Sequence, residues 1–469
     1  MQASSTSLSV RIDVGTEVLA NHHGLVTGAR VEALDGRQTL VIQMDVRRLP
    51  WAQKLNLPPR TKIYWNDVHS VEVQDLSALL WPICYRVTLG DGWYRDETGQ
   101  RHYFGVDAHL PGLDLKRRVT AVVLRAAVLL AVVGGVGLRQ VCWLLSTLFH
   151  VDISKSTLDR WIEEVASHLP QAEQMAKFLL QLKPVSECHF DELFPRGTDK
   201  PVLVVRDEHG RILCVQEVEH RDTDHVVPFL RKLKSWGFDF RTFYIDHWAA
   251  YKEAIGIVFP KAQIQYDYFH ILHNVWRTVW KAFVAHRKDV KRRGDEVKTP
   301  WYAAKLEALA KKLWEKRFLL FTAQEHLDEE GLSEVQELVA QDSWLQTLRA
   351  FLGRVRGIFQ DSKGELGARQ RLGRLRVFAQ EHSLDAFDKA IKFLDNNFEH
   401  MITFLRIPGV RRNSVAETGM RTLRRMEQGH DGFRTSAARD RYVRLFQAIR
   451  YGGWSVYRRD GTLGFPAPQ

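Results

Sequence analysis

Three acidic residues far apart in the chain carry the strongest suggestion of chemistry. Asp191 follows the strand-like run Val185–Phe190, and Asp246 follows Arg241-Thr-Phe-Tyr-Ile245. If these runs are parallel neighbours, ~4.8 Å apart, both carboxylates emerge at one sheet edge. A right-handed crossover through the amphipathic stretch His225–Trp236 makes them parallel. Carboxylates held on rigid strands suit a pair of divalent ions ~3.5–4 Å apart, an arrangement that breaks phosphodiester bonds. Mg²⁺, with Mn²⁺ as a substitute, matches such oxygen donors. The candidate third ligand is Glu417, in Asn413-Ser-Val-Ala-Glu-Thr-Gly-Met420. It opens a helix whose i+4, i+7 and i+8 positions are Arg421, Arg424 and Arg425.

Other residues fall near this constellation. Glu192 is beside Asp191 and either replaces it as a ligand or points away. His270 and His273 share a helix face at i, i+3 spacing, either near the metals or DNA or as hydrogen-bonded histidines at a helix start. No third zinc ligand has convincing spacing, so no zinc site is expected. The acidic trio does not decide the matter alone, because 56 Asp and Glu residues always allow some trio to be picked. Ser414-Val-Ala-Glu417 is also a capping box, in which the glutamate satisfies a helix-start amide.

The elements that must position these groups divide the chain into six segments. Residues 1–110 read as a β-rich domain, with strand formers at Leu40–Val46 and Lys62–Trp65 between turn residues. Residues 111–182 read as helical. There Leu138–Phe149, with Val141, Leu144, Leu145 and Leu148 on one face, is followed by a short link and by Ser154 as an N-cap. Leu158, Trp161, Ile162 and Val165 then repeat as a core stripe, leaving Lys155, Ser156 and Arg160 outside. Such a pair is a helix-turn-helix, whose second helix enters a DNA groove, or an ordinary helical hairpin. Residues 183–270 give three strands, a helix, a strand, a helix and a strand, the order of a ribonuclease H-like core. Residues 271–405 read as helix throughout. Residues 406–452 complete the core with Glu417, and 453–469 form a tail. The fold class expected is α/β.

Charge narrows the partners. The 469 residues carry 67 Lys and Arg, for a formal charge of +11. Nucleic acid or an anionic surface is the implied partner. Residues 271–320 hold 13 basic side chains against 5 acids, and residues 406–450 hold 11 Arg against 4 acids. Arginine's planar fork suits phosphate oxygens. The longest apolar run, Ala126–Leu138, is broken by three glycines and falls short of the ~20 residues that span a bilayer. No membrane association is therefore expected. Four isolated cysteines and an N-terminus without a signal-peptide pattern point to a reduced, cytoplasmic protein, and a DNA partner adds the expectation that it is nucleoid-associated.

The quoted motifs also carry a resemblance. Phe190-Asp-Glu-Leu193, Tyr244-Ile-Asp-His-Trp-Ala-Ala-Tyr251, Phe259–His270, Asn413–Glu417 and Arg424–Arg434, in this order, resemble the DDE transposases of bacterial insertion sequences, especially the ISL3-like family. The resemblance spans about Leu113 to Trp454. It implies that Asp191, Asp246 and Glu417 bind two Mg²⁺ ions. It also implies cutting at terminal inverted repeats, joining to target DNA, and a homo-oligomer, at least a dimer, on double-stranded DNA. Family members commonly carry an N-terminal cysteine-rich zinc module; a β-rich segment stands here instead. The competing functions are a non-catalytic DNA-binding regulator derived from a transposase, and a ribonuclease H-like nuclease that cuts without strand joining.

Overall fold

In the computed structural model the described residues are 23–34, 37–76, 82–104, 113–195, 199–382, 385–412, 414, 416–430, 432–433 and 435–452; the side chains of His23 and residues 416–419 are outside that set. The chain divides into two units: 1–182 with 195–199 and 420–469, and 183–194 with 200–419.

The first unit begins with a mixed sheet. Its strands are β1 (Val26–Leu34), β2 (Arg37–Asp45), β3 (Tyr64–Gln74), β4 (Ile83–Arg95), β5 (Arg101–Phe104), β6 (Leu113–Asp114) and β7 (Val119–Thr120). They run in the order β1-β2-β4-β3-β7-β6, with β5 paired to the far end of β4. Alternate positions turn Ile42, Met44, Val73, Tyr85 and Val87 into one apolar core, as the period of two requires. The sheet therefore extends through Val119–Thr120, into a stretch whose pattern reads as helical.

Four helices follow: α1 (Ala121–Val128), α2 (Leu138–Phe149), α3 (Lys155–Ser167) and α4 (Ala172–Leu182). His150 closes α2 in the left-handed conformation, φ 57°. Ser154 caps α3 by accepting from the Thr157 amide at 3.1 Å. Leu158, Trp161, Ile162 and Val165 are buried, as their spacing predicts. On α2 the outcome differs. Val141 and Leu145 are buried, but Leu148 is 40% exposed, because the core-facing stripe of α2 is narrower than its apolar content.

The second unit is built on a five-stranded sheet. Its strands are β8 (Glu187–Leu193), β9 (Val202–Arg206), β10 (Ile212–Glu217), β11 (Thr242–Ile245) and β12 (Gln263–Tyr266). The order is β10-β9-β8-β11-β12. The first three are antiparallel; β8, β11 and β12 are parallel. Parallel strands need crossovers, supplied by α5 (Thr223–Ser235) and α6 (Ala249–Val258). Every residue of β9 and β11 is buried, which explains their unbroken apolar sequence.

Among the described residues, the stretch predicted as helix throughout is a series of eight α-helices with a 3-10 turn at Gln324–His326. They are α7 (Tyr268–Glu296), α8 (Pro300–Glu315), α9 (Arg317–Phe321), α10 (Glu329–Gln341), α11 (Ser343–Gln360), α12 (Glu365–His382), α13 (Asp385–Met401) and α14 (Thr403–Arg406). Capping acids make the breaks: Asp328 and Asp342 accept from the first amides of α10 and α11. The series returns to the sheet where Thr403 Oγ1 donates to the Ile264 carbonyl and the Phe404 amide to Gln265 Oε1. The last helices are α15 (Ala416–Gly429) and α16 (Ser436–Arg450). Among the described residues no helix is long and apolar enough to cross a membrane.

Candidate active site

Register fixes the two aspartates. Thr242, Phe243 and Tyr244 of β11 pair with Glu187, Cys188 and His189 of β8. Counting on two residues sets Asp246 level with Asp191. One correction follows: Asp191 does not end its strand but lies within β8, which runs on through Glu192 and Leu193. Asp246 does lie just past the end of β11.

Electrostatics shows how crowded this edge is. Burial, then the charges of Glu192 and Asp246, push the Asp191 carboxyl up to about 6, although the Glu192 amide donates to its Oδ1 at 2.8 Å and the His270 charge opposes the rise. Burial and Asp246 also raise Glu192. The Tyr266 hydroxyl is pushed up to about 12 by burial and by Asp246. Negative charge is thus held in surplus on hard oxygen atoms, the donor set that Mg²⁺ or Mn²⁺ takes. Among the described residues no group of three or more potential ligand side chains is assembled; the Glu417 side chain lies outside that set.

Glu192 is already engaged. Arg221 pairs with its Oε1, and the Tyr251 hydroxyl donates to its Oε2 at 2.8 Å. Arg221 is itself held over the Trp248 ring, 3.9 Å from the centre, while the Trp248 indole donates to the Arg221 carbonyl. His270 is near enough for its charge to act on Asp191 and on His247. His273 is exposed and lies beside the Phe269 ring. Burial lowers His247, and the Asn274 amide donates to its Nδ1 at 3.2 Å. Arg221, His247 and Asn274 were not singled out in the sequence. Arg221 lies in a polar turn with no periodicity, and its role exists only through the register of β8. The Asp246-His247 adjacency was the one available signal.

The segment leading to Glu417 is tied to the same strands. The Arg411 amide donates to the Tyr244 hydroxyl at 2.8 Å. The Ser414 amide donates to Asp267 Oδ2 at 3.1 Å, and the Ser414 hydroxyl lies 3.1 Å from His189 Nδ1. Glu417 occupies the first turn of α15. Arg421, Arg424 and Arg425 are exposed farther along it, as are Lys155, Ser156 and Arg160 on α3.

Comparison with known proteins gives one family and one solved structure of note. The family model DDE_Tnp_ISL3, described as Transposase, matches residues 190–438. The Drosophila P element transposase strand transfer complex is 13% identical, with a TM-score of 0.34, over 76% of this chain and 94% of that one. That likeness is too slight to carry fold or function. No curated protein matches the chain.

Proposed function

This chain belongs to the ISL3-like transposase family, and from that membership we propose a metal-dependent DDE enzyme that cleaves DNA at element ends and transfers the strands to a target. Asp191, Asp246 and Glu417 are its metal-binding carboxylates. The observation that carries the reading is the level pairing of Asp191 and Asp246 on parallel strands, with the charge of one raising the carboxyl of the other. The strand order, three antiparallel then two parallel, supports a ribonuclease H-like core interrupted by α7–α14.

Chain geometry supports Glu417 as the third member. Ser414 is within hydrogen-bond distance of His189. Asp191 is two residues on, about 7 Å along a strand, and Glu417 is three residues from Ser414, at most about 10 Å.

When bound, a pair of divalent ions supplies an activated water or 3′-hydroxyl and stabilises the leaving oxygen. The chain's own residues do the rest. Asp191, within β8, and Asp246, just past β11, would hold the ions on backbone that the sheet's hydrogen bonds keep rigid. Arg221 and Tyr251 take up the charge of Glu192 and so leave Asp191 as the inward ligand. His247 accepts from the Asn274 amide at Nδ1, which leaves its Nε2–H free to donate a hydrogen bond at this edge. The helix pair α2–α3 serves as a helix-turn-helix, with Lys155, Ser156 and Arg160 on DNA. Arg421, Arg424 and Arg425 meet backbone phosphates, and two chains act together because an element has two ends.

The test begins with the DNA flanking the gene, where short inverted repeats define a substrate. Purified protein cuts that substrate with Mg²⁺ or Mn²⁺ and joins the ends to a target plasmid. Asp191→Asn, Asp246→Asn and Glu417→Gln each abolish cleavage while duplex binding survives. Wild-type cleavage by all three variants sinks the reading.

A further inference from the structure

A row of aromatic side chains crosses β3, β4 and β5, outside the carboxylate site. Register sets Tyr64 opposite Trp93, and Trp93 opposite Tyr103. Two residues on along the same face, Arg95 stands opposite Arg101. Alternation thus gathers three aromatic rings and two guanidinium groups on one side of the sheet. The intervening row, Trp65, Gly92 and Phe104, turns the other way. There Trp65 and Phe104 pack on each other and on Trp51, with ring centres 5.5–5.8 Å apart.

The outward row is ordered without being covered. Trp93 is stacked on Tyr64, centres 4.4 Å apart and planes 16° from parallel, and the Arg101 guanidinium lies 4.7 Å from the Trp93 ring centre. That leaves open rings at the ends of the row: Tyr103 is 65% exposed and Tyr64 43%. Scattered exposed aromatics need no explanation, but rings in register on rigid strands are a surface of defined shape.

The charge beside them says what kind of partner fits. Asp96, at the β4–β5 turn, is held by Thr98 and by His102 at 2.8 Å, and among the described residues neither Arg95 nor Arg101 has an ion-pair partner. Against Tyr64 opens a groove of about 590 Å³ bordered by Arg60, Lys62 and Arg95, with Asp96 and Glu97 at its turn end. Flat rings beside Arg60, Lys62, Arg95 and Arg101, which outnumber the two acids at the turn, match a nucleic-acid strand, whose bases stack while its phosphates follow the basic side chains. A duplex keeps its bases stacked on one another, so only an unpaired strand offers base faces to Tyr64 and Tyr103.

We propose that this face of the N-terminal sheet binds unpaired DNA, with bases on Tyr103 and Tyr64 and phosphates along Arg60, Lys62, Arg95 and Arg101. The assignment stands apart from the carboxylate site and does not depend on it.

The experiment is fluorescence anisotropy of the full chain with a labelled 20-nucleotide single strand of mixed sequence, in chelator so that nothing is cleaved. The double variant Tyr64→Ala/Tyr103→Ala binds the single strand about tenfold more weakly, on the scale of lost base stacking. Its affinity for the same sequence as a duplex stays within about twofold. Tyr103→Phe, which keeps the ring, binds like wild type. Arg95→Ala/Arg101→Ala lowers the salt dependence by about one or two phosphate contacts. Unchanged single-strand affinity in the tyrosine double variant overturns the proposal, as does an equal loss on single strand and duplex. Should Tyr64→Ala disturb the fold by circular dichroism, Tyr103→Ala alone repeats the test at the most open ring. Because no divalent metal is present, a chain that never cleaves DNA still shows the drop, so failure of the carboxylate assignment is read separately.

Discussion

The two sheets put their unusual residues in opposite places. In the five-stranded sheet the strand interiors are sealed, and β9 and β11 are buried throughout. Its chemistry collects where the parallel pairing of β8 with β11 runs out, at Asp191, Glu192 and Asp246. The N-terminal sheet buries Ile42, Met44, Tyr85 and Val87 in one core and, farther along β3, β4 and β5, leaves Tyr64, Tyr103, Arg95 and Arg101 exposed. Parallel strands covered on both sides by helices have only their ends to offer a ligand. A sheet with an open face has its whole register to offer. The first arrangement concentrates like charges and suits a metal ion; the second spreads rings and cations and suits a strand.

The sharpest way to break this contrast is to neutralise the paired aspartates. Asp191→Asn or Asp246→Asn should lower metal-dependent cleavage on the order of 10³-fold or more, the scale of losing a group that acts in the transition state. For Asp191→Asn the melting temperature should hold or rise, because the change removes a charge that burial and Glu192 oppose. A variant that loses activity only in proportion to lost folded protein would reduce the aspartates to structural residues.

Breaking the support beneath the site has a smaller effect. Arg221→Ala leaves Glu192 without its cation while Tyr251 alone still donates to it. A fully buried pair broken this way costs about 3–5 kcal/mol; Arg221 is 33% exposed, so solvent screening brings the loss to about 2 kcal/mol. Denaturant unfolding measures it, and Arg221→Lys should restore part. A loss below about 0.5 kcal/mol would mean that the Glu192 network contributes nothing to holding β8.

On the N-terminal sheet the corresponding change is Gly92→Ala. Phe104 lies directly across from Gly92, and a methyl group there meets the Phe104 ring at 2.1–2.6 Å. Phe104 must leave its contacts with Trp51 and Trp65, at about 1–2 kcal/mol by the usual penalty for overpacking. Since Trp65 and Phe104 share the inward row, single-strand binding by the outward row should weaken less than in the tyrosine double variant. Equal weakening would show that the two faces of this sheet are not separable.

The sequence made the two sheets unequally legible. A continuous apolar run announced β9, and the crossover through α5 suggested that β8 and β11 run parallel, so a shared sheet edge for Asp191 and Asp246 was legible as a condition, while their level register came only from the pairing of β8 with β11. What stayed hidden there was whatever depends on register across distant segments: Arg221 on Glu192, Asn274 on His247, Ser414 beside His189. The breaks among α7–α14 were missed because Asp328 and Asp342, which cap α10 and α11, sit in a polar stretch that reads equally well as a solvated helix face. In the N-terminal sheet, β-formers marked strands without marking partners. Tyr64, Trp93 and Tyr103 are 29 and 10 residues apart in sequence, and only the pairing of β3, β4 and β5 makes them neighbours. Leu148 of α2 shows the converse limit, since helical periodicity names a face without saying how much of it is covered.

The mildest test contrasts two of the raised carboxyls, one from each sheet. Asp191 is raised by burial together with the charges of Glu192 and Asp246. Asp75, just past the end of β3, is raised by burial alone, against hydrogen bonds from Thr120 Oγ1 at 2.5 Å, the Leu76 amide at 2.8 Å and the Tyr85 hydroxyl at 3.3 Å. The unfolded chain ionises such a group near pH ~3.9, below the folded protein. Between those two values the folded state binds more protons than the unfolded one, so Asp75 makes stability fall as pH rises from about 4 and level off above the raised value. Asp75→Asn carries no such slope while keeping one acceptor oxygen for Thr120. Melting temperatures of wild type and variant should therefore be closest near pH 4 and separate in favour of the variant toward neutrality. A difference that stays flat between pH 4 and 8 would mean that the three donors fully offset burial at Asp75, and that crowding by other carboxylates, as at Asp191, is what raises an acid in this protein.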